Sequence, residues 1–188
     1  MPKKHIPLCI LIAALLPACA PAAQDSHNEI SILKSSSTAD ATTTLIGRTG
    51  DEIGQAQFFK GNDGVVMRLS VNSLTPGLHG MHFHTKGTCE DQTAGFKATG
   101  GHVMPLGKPH GFLHPEGPHA GNLPNLVVGS NGTANVELYT NLVTLSEGNA
   151  ALLDQDGTTL IIHENEDDHL TQPIGGAGGR VACGVIKG

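Results

Sequence analysis

The chain has 188 residues and a formal net charge of −6, with no Trp, one Tyr and five Phe beside 25 Gly and 11 Pro. This length accommodates one domain after export processing. The acidic balance argues against nucleic acid as a partner, because phosphate binding needs a basic surface. Few aromatic residues and many turn-forming ones favour short strands over packed helices.

Residues 1–18 have the pattern of a targeting segment. Lys3 and Lys4 precede an apolar stretch, residues 10–16, that is too short to span a bilayer. The sequence L-P-A-C ending at Cys19 is typical of a bacterial lipoprotein cleavage box and predicts lipidation of Cys19, with ordinary cleavage around residues 20–23 as the alternative. We therefore expect a signal peptide at 1–18, a flexible tether at 19–40, a periplasmic or cell-envelope location, and membrane contact only through the lipid.

From about residue 41, short β-prone runs alternate with turn sequences. The runs T-T-L-I-G, I-G-Q-A-Q-F-F and V-V-M-R-L-S-V are separated by R-T-G-D-E and K-G-N-D-G, which predicts an antiparallel meander. Further strands are predicted at residues 79–84, 125–128, 133–139, 158–163 and 181–186. Two long irregular stretches, 85–124 and 164–180, hold most of the histidines, which indicates function. The glycine-rich run 175–179 is interpreted as a flexible loop, because it lacks the helix of a dinucleotide fingerprint.

Two histidines within one β-prone run provide half of a candidate metal site. His82 and His84 are separated by one residue, and alternation along a strand points both side chains to the same face. His163 ends another strand candidate, at the start of the second long stretch. His79 lies three residues before His82, so we expect it to face the other way and to bind backbone groups.

Three further histidines lie in the first long stretch. His102, His110 and His119 are spaced by eight and nine residues, which allows a loop to wrap one ion with three imidazoles. A single histidine is more often a surface or core residue than a ligand. Histidines arranged as a strand pair, a loop triad and a strand end instead predict metal binding.

Five segments together resemble the copper–zinc superoxide dismutase family. In chain order they are G-L-H-G-M-H-F-H, G-G-H-V-M-P, H-A-G-N-L-P-N, I-I-H-E-N-E-D-D and G-G-R-V-A-C-G-V-I, within about residues 41–188. The resemblance implies an all-β domain, a Greek-key antiparallel β-sandwich or flattened barrel (immunoglobulin-like), with two long functional loops. It also implies an oxidoreductase with copper and zinc as cofactors and superoxide as substrate, acting as a monomer or homodimer.

The resemblance assigns a role to each histidine of the predicted site. The implied copper ligands are His82, His84, His102 and His163. His102 would be shared with zinc, leaving copper on reduction and carrying a proton to the product, while Cu(II)/Cu(I) cycling converts two superoxide anions to oxygen and hydrogen peroxide. His110 and His119 would complete the histidines on zinc.

The resemblance also implies supporting residues around the metals. Asp167 would link a copper-side and a zinc-side histidine, His82 and His110, and Arg180 would attract the anionic substrate beside copper. Cys89 and Cys183 would form the family disulfide. Because the chain is acidic overall, attraction of the anion must be local, and the loop lysines at positions 86, 97 and 108 are equal candidates to assist it.

One position departs from the family pattern. Asn122 stands where the motif H-x-G-D-L has aspartate, and a neutral amide is a poorer zinc ligand than a carboxylate. We expect weakened zinc binding, with Asn122 binding through its carbonyl oxygen, through water or not at all, and with His114 or Glu116 as candidate substitutes. The alternative function is a non-enzymatic copper-binding or copper-delivery protein on the same fold.

Overall fold

The computed structural model of the protein describes Met1 and residues 38–188. Apart from Met1, the predicted signal peptide lies outside the described residues, as do Cys19 and most of the predicted tether. Among the residues described, no helix is long and apolar enough to cross a membrane.

Residues 38–188 form strands connected by turns and three long loops: residues 85–125, called the first long loop, residues 141–158, and residues 164–179, called the second long loop. The strands are β1 (Ala41–Gly47), β2 (Glu52–Lys60), β3 (Val65–Val71), β4 (Gly77–His79), β5 (Met81–His84), β6 (Leu126–Val128), β7 (Ala134–Thr140), β8 (Thr159–His163) and β9 (Arg180–Val185). Two short 3-10 turns, Gln92–Ala94 and Lys97–Thr99, lie in the first long loop. The prediction of an all-β fold is confirmed.

All strand pairs are antiparallel, and their order in the sheet differs from their order in the chain. Seven strands form one sheet in the order β5-β8-β9-β1-β2-β3-β7, and β4 pairs with β6. Along β1 and β3 every second residue is buried, including Leu45, Met67 and Leu69, so the meander presents one face to the core.

The large sheet is strongly curled. Phe58 on β2 and Phe83 on β5 are four strand positions apart, which in a flat sheet is about 19 Å. Their ring centroids are only 6.3 Å apart, and both side chains are fully buried in one apolar cluster. Strand β5, at one end of the sheet, therefore faces β2 across the core.

The run 79–84, predicted as one strand, is divided at Gly80, which is a correction. The Gly80 N–H donates to the carbonyl of Asn165, and its carbonyl accepts from the His163 N–H. A Cβ at Gly80 would lie 2.9 Å from the Cβ of Ala177. Gly80 thus brings the second long loop against the start of β5, which carries His82 and His84.

A disulfide fixes the first long loop to the last strand. Cys89 and Cys183 are bonded across a sequence separation of 94 residues. Both cysteines pack with Phe96 and Ile161 in a small buried cluster. The predicted Cys89–Cys183 pairing is therefore present in the structure.

Candidate metal centre

Four buried histidines meet at one end of the core, and we call them the four-histidine cluster: His82, His84, His102 and His163. Strand β5 supplies two of them, and the end of β8 supplies His163. His102 is placed by an isolated β-bridge to His84. One ligand atom from each ring lies within 4.8 Å of those of the others.

Hydrogen bonds hold three of these rings by one nitrogen each. His82 Nε2 lies 2.9 Å from a carboxylate oxygen of Asp167, His84 Nδ1 lies 3.0 Å from the Gly100 carbonyl, and His163 Nδ1 lies 3.2 Å from the Gly178 carbonyl. Because these oxygens only accept, the bonded nitrogens carry the protons. The opposite nitrogens therefore carry lone pairs.

Among the residues that the structure describes, the lone-pair nitrogens have no hydrogen-bond partner. They are His82 Nδ1, His84 Nε2 and His163 Nε2, together with His102 Nε2. Buried polar atoms are normally hydrogen-bonded, so four unpartnered nitrogens facing one centre fit a metal ion with nitrogen ligands. The chemistry of the donor set thus agrees with copper.

A second group, the three-histidine cluster, shares His102 with the first. His102 Nδ1 lies 2.9 Å from His119 Nε2, and His110 completes the group with ligand atoms within 4.8 Å of one another. All three rings are buried. Neutral imidazoles at this spacing fit zinc, which takes nitrogen ligands.

Asp167 connects the two clusters from behind. Its Oδ2 accepts a hydrogen bond from His82 Nε2 and its Oδ1 accepts one from His110 Nε2, both at 2.9 Å. The His169 backbone N–H also donates to Oδ1 at 2.7 Å. A carboxylate bonded in this way fixes the tautomer and direction of both rings.

Burial and mutual proximity keep the rings neutral. Burial is the largest cause that lowers the pKa of His82, His84 and His102, and neighbouring histidines lower it further. Burial likewise lowers the pKa of His163 to about 3 and that of His119 to about 4. Neutral imidazole is the form that binds metals.

For the carboxyl group of Asp167, burial affects the pKa less than the hydrogen bonds do together. Burial alone would raise its pKa, but hydrogen bonds from His110 and His82 outweigh this effect and hold the pKa below its ordinary value. Asp167 is therefore ionised while both of its imidazole partners donate to it.

Arg180 lies at the mouth of the centre. Its guanidinium donates to the carbonyls of Phe96 and Gly100 at 2.6 and 2.8 Å and to Thr99 Oγ1 at 2.8 Å. Together with His102 it lines a cavity of about 390 Å³. The structure therefore fixes a half-buried positive charge beside the four-histidine cluster.

The amide of Asn122 is fully buried beside the three-histidine cluster. Its Oδ1 accepts from the Gly111 N–H at 3.1 Å, and its Nδ2 lies 3.2 Å from His110 Nδ1. The suggested substitutes do not join the centre, because neither His114 nor Glu116 belongs to any of the metal-binding groups found within residues 38–188. The His114 Nδ1 instead accepts from the Glu116 N–H at 3.2 Å.

Two supporting residues were missed from the sequence. The Asn125 side chain bonds both the carbonyl and the N–H of Asp167, at 2.8 and 2.9 Å. Gly175 lies against the Asp167 carboxylate at a φ of 61°, where any Cβ would collide with Oδ1. The glycine run interpreted as flexible therefore has a packing role, which its composition alone did not indicate.

His79 has the structural role predicted for it. Its Nδ1 lies 2.7 Å from the carbonyl of His163, and its Nε2 lies 2.8 Å from that of Thr75. The ring is buried and belongs to β4 rather than to the strand of His82.

Comparison with known proteins decides the family. Residues 52–186 match the family model described as copper/zinc superoxide dismutase (SODC). The chain belongs to the copper/zinc superoxide dismutase family. The prediction of an enzyme of this family is confirmed, and the family and its histidine clusters imply copper and zinc as cofactors and superoxide as substrate.

Several relatives support this membership. The chain is 45% identical over 150 residues to Superoxide dismutase [Cu-Zn] of Caulobacter vibrioides, covering 78% of this chain and 85% of that protein. It is 41% identical over 147 residues to Superoxide dismutase-like protein YojM of Bacillus subtilis, covering 77% and 74%. The crystal structure of a SOD-like protein from Bacillus subtilis superposes with a TM-score of 0.73 at 38% identity, covering 77% of this chain and 96% of that one.

Proposed function

We propose that the chain catalyses superoxide disproportionation, in which two superoxide anions and two protons give one oxygen and one hydrogen peroxide. When bound at the four-histidine cluster, copper supplies the one-electron exchange by alternating between Cu(II) and Cu(I). The observation that carries the proposal is that four histidines each have an unpartnered ring nitrogen and offer ligand atoms within 4.8 Å of one another: His82, His84, His102 and His163. These four rings are the proposed copper ligands.

His102 is the proposed proton carrier, because it alone belongs to both clusters of residues 38–188. Its Nδ1 faces His119 in the three-histidine cluster, so the ring keeps its position from that side. Its Nε2 faces the other cluster and is the atom at which a proton is held and passed to the product. His102 and Arg180 are thus the residues that act on the substrate.

Arg180 is the proposed anion guide. The chain carries a net charge of −6, so its overall field does not draw in superoxide. The half-buried guanidinium lines the same cavity as His102, and its bonds to loop carbonyls hold it there. A fixed cation in a cleft raises the local concentration of an anionic substrate.

His102, His110 and His119 are the proposed zinc ligands, in a site weakened by Asn122. The support is that the Asn122 amide directs its Nδ2, which cannot coordinate, toward His110 Nδ1. We expect the Asn122→Asp variant to bind zinc more tightly than the parent in chelator competition, because it restores an anionic oxygen donor for the metal. Equal zinc affinities in the two proteins would contradict the weakened site.

A copper-binding or copper-delivery protein remains the alternative, favoured by the neutral residue at position 122. The deciding experiment is a superoxide-consumption assay on the copper-loaded chain. We expect catalysis well above that of free copper complexes, and lost in His163→Ala. Activity at or below that of the free complexes would support the carrier and contradict the dismutase.

We also propose that the chain is exported and lipid-anchored, with residues 1–18 as signal peptide, Cys19 as the acylated N-terminus and residues 19–40 as tether to a domain at 41–188. The Cys89–Cys183 disulfide supports an oxidising compartment such as the periplasm. Mass spectrometry of the membrane-associated protein should find an acylated Cys19. A soluble product beginning at residues 20–24 would contradict the anchor.

A further inference from the structure

The orientation of the Asn122 amide is set by a backbone donor. Its Oδ1 accepts the N–H of Gly111 at 3.1 Å, and a backbone N–H can only donate. Gly111 packs closely against the His169 backbone, because a Cβ built on it would collide with the carbonyl of His169. Turning the amide over would place its NH₂ group against the Gly111 N–H, with two donors facing each other.

The amide therefore presents a donor, not an oxygen ligand, to the three-histidine cluster. Asp167 takes the proton on His110 Nε2, which leaves a lone pair on His110 Nδ1, and Asn122 Nδ2 lies 3.2 Å from that atom. Among the groups found within residues 38–188, the cluster contains only His102, His110 and His119. Zinc sites closed by protein have four ligands, whereas sites with three keep a position for an external ligand.

The three-histidine cluster also has access to solvent. All three of its histidines line the cavity of about 390 Å³, together with exposed Lys108 and half-buried Arg180. Two cationic side chains that line this cavity favour an anion as the external ligand. An amide N–H beside the metal position would donate to such an anion, whereas a carboxylate at position 122 would repel it.

We propose that the three-histidine cluster holds its metal through imidazoles alone and binds a small external anion in the remaining position, with Asn122 Nδ2 as hydrogen-bond donor. This inference rests on the proposed zinc ligands, and it adds an anion site separate from the copper centre. It concerns binding, so it can be tested without measuring dismutation.

The test uses cobalt(II) in place of zinc, with the copper site filled and kept as Cu(I), so that the visible d–d bands report the three-histidine cluster alone. Azide is the probe anion, and the full domain is titrated at fixed pH and ionic strength. We expect a saturable change of the cobalt bands in the parent. The Asn122→Asp variant should show none, because the carboxylate fills the position.

Two further variants keep the result interpretable. Asn122→Ala leaves the position open but removes the donor, so it should respond to azide with about fivefold weaker affinity. Asn62→Asp adds the same charge at an exposed turn and should respond like the parent. The anion site would be overturned if azide did not change the cobalt bands of the parent, or if Asn122→Asp responded equally. Either result would leave the dismutase proposal standing. Failure of cobalt to bind at these histidines would overturn the proposed zinc ligands as well.

Discussion

Replacing Asp167 with asparagine removes one acceptor from a carboxylate that serves two imidazoles. Oδ1 accepts from both His110 Nε2 and the His169 N–H, at 2.9 and 2.7 Å, whereas Oδ2 accepts from His82 Nε2 at 2.9 Å. The amide oxygen of the introduced side chain should therefore occupy the doubly bonded position. Its NH₂ group then faces His82 Nε2.

This arrangement forces a change at His82. Two donors cannot face each other in a buried site, so the His82 ring must move its proton to Nδ1, the nitrogen proposed to bind copper. Loss of an outer carboxylate partner costs about 10- to 100-fold in metal affinity, or about 1.4–2.7 kcal/mol. We expect the copper affinity of Asp167→Asn to fall within this range, and its zinc affinity to fall less because His110 keeps its acceptor.

Competition with chelators of known affinity measures both metals separately. Asp168→Asn is the matched control, because it removes an adjacent exposed charge but keeps the Oδ1 that accepts from Leu170 and Thr171. The control should bind both metals like the parent. Copper affinity unchanged in Asp167→Asn, or zinc affinity reduced more than copper affinity, would refute the reasoning.

Three further predictions concern steering, the disulfide and pH. Lys108→Gln should lower kcat/KM for superoxide about two- to tenfold at low ionic strength and little at high salt, because Lys108 lines the cavity that also contains His102 and Arg180. Lys86→Gln should leave kcat/KM unchanged, since the Lys86 ammonium lies 2.6 Å from an Asp156 oxygen. Equal effects of the two substitutions would contradict a steering role for Lys108. Cys89→Ser should reduce the free energy of unfolding, measured by urea denaturation, by about 4–5 kcal/mol, because the disulfide closes a loop of 94 residues. A loss under about 1 kcal/mol would contradict this stabilisation by loop closure. In the metal-free protein, the pKa values of His119 and His163, about 4 and 3, lie below the unfolded value of 6.5, so the unfolded state binds more protons. Each of these histidines should therefore lower the free energy of unfolding by about 1.4 kcal/mol per pH unit as pH decreases from about 6.5 to its folded pKa, about 4 for His119 and about 3 for His163. A stability that does not change with pH across this range would contradict the neutral rings.

Local patterns in the sequence predicted the parts of the site that local geometry determines. His82 and His84 lie on one strand, and period-two alternation is sufficient to bring both to one centre. The meander β1–β3 was predicted for the same reason, since its turns and alternation are short-range features. The resemblance to the family then assigned the ligand roles that spacing alone did not determine, above all the role of His102 as a ligand shared by copper and zinc.

Contacts between distant segments could not be predicted in this way. The break at Gly80 depends on Asn165, and the support of Asp167 depends on Asn125, about 40 residues earlier in the chain. The orientation of the Asn122 amide depends on the Gly111 N–H, and the His169 carbonyl leaves no room for a side chain at position 111. Local sequence patterns do not predict such contacts, because the contacting residues are far apart in the chain and none of them stands out within its own segment.

A crystal structure of residues 38–188 loaded with copper and zinc tests the central claim most directly. We expect one copper ion bound by His82 Nδ1 and by the Nε2 atoms of His84, His102 and His163, with His102 Nδ1 directed at the second metal. Copper bound elsewhere, or bound without His102 between the two metals, would contradict the proposed centre.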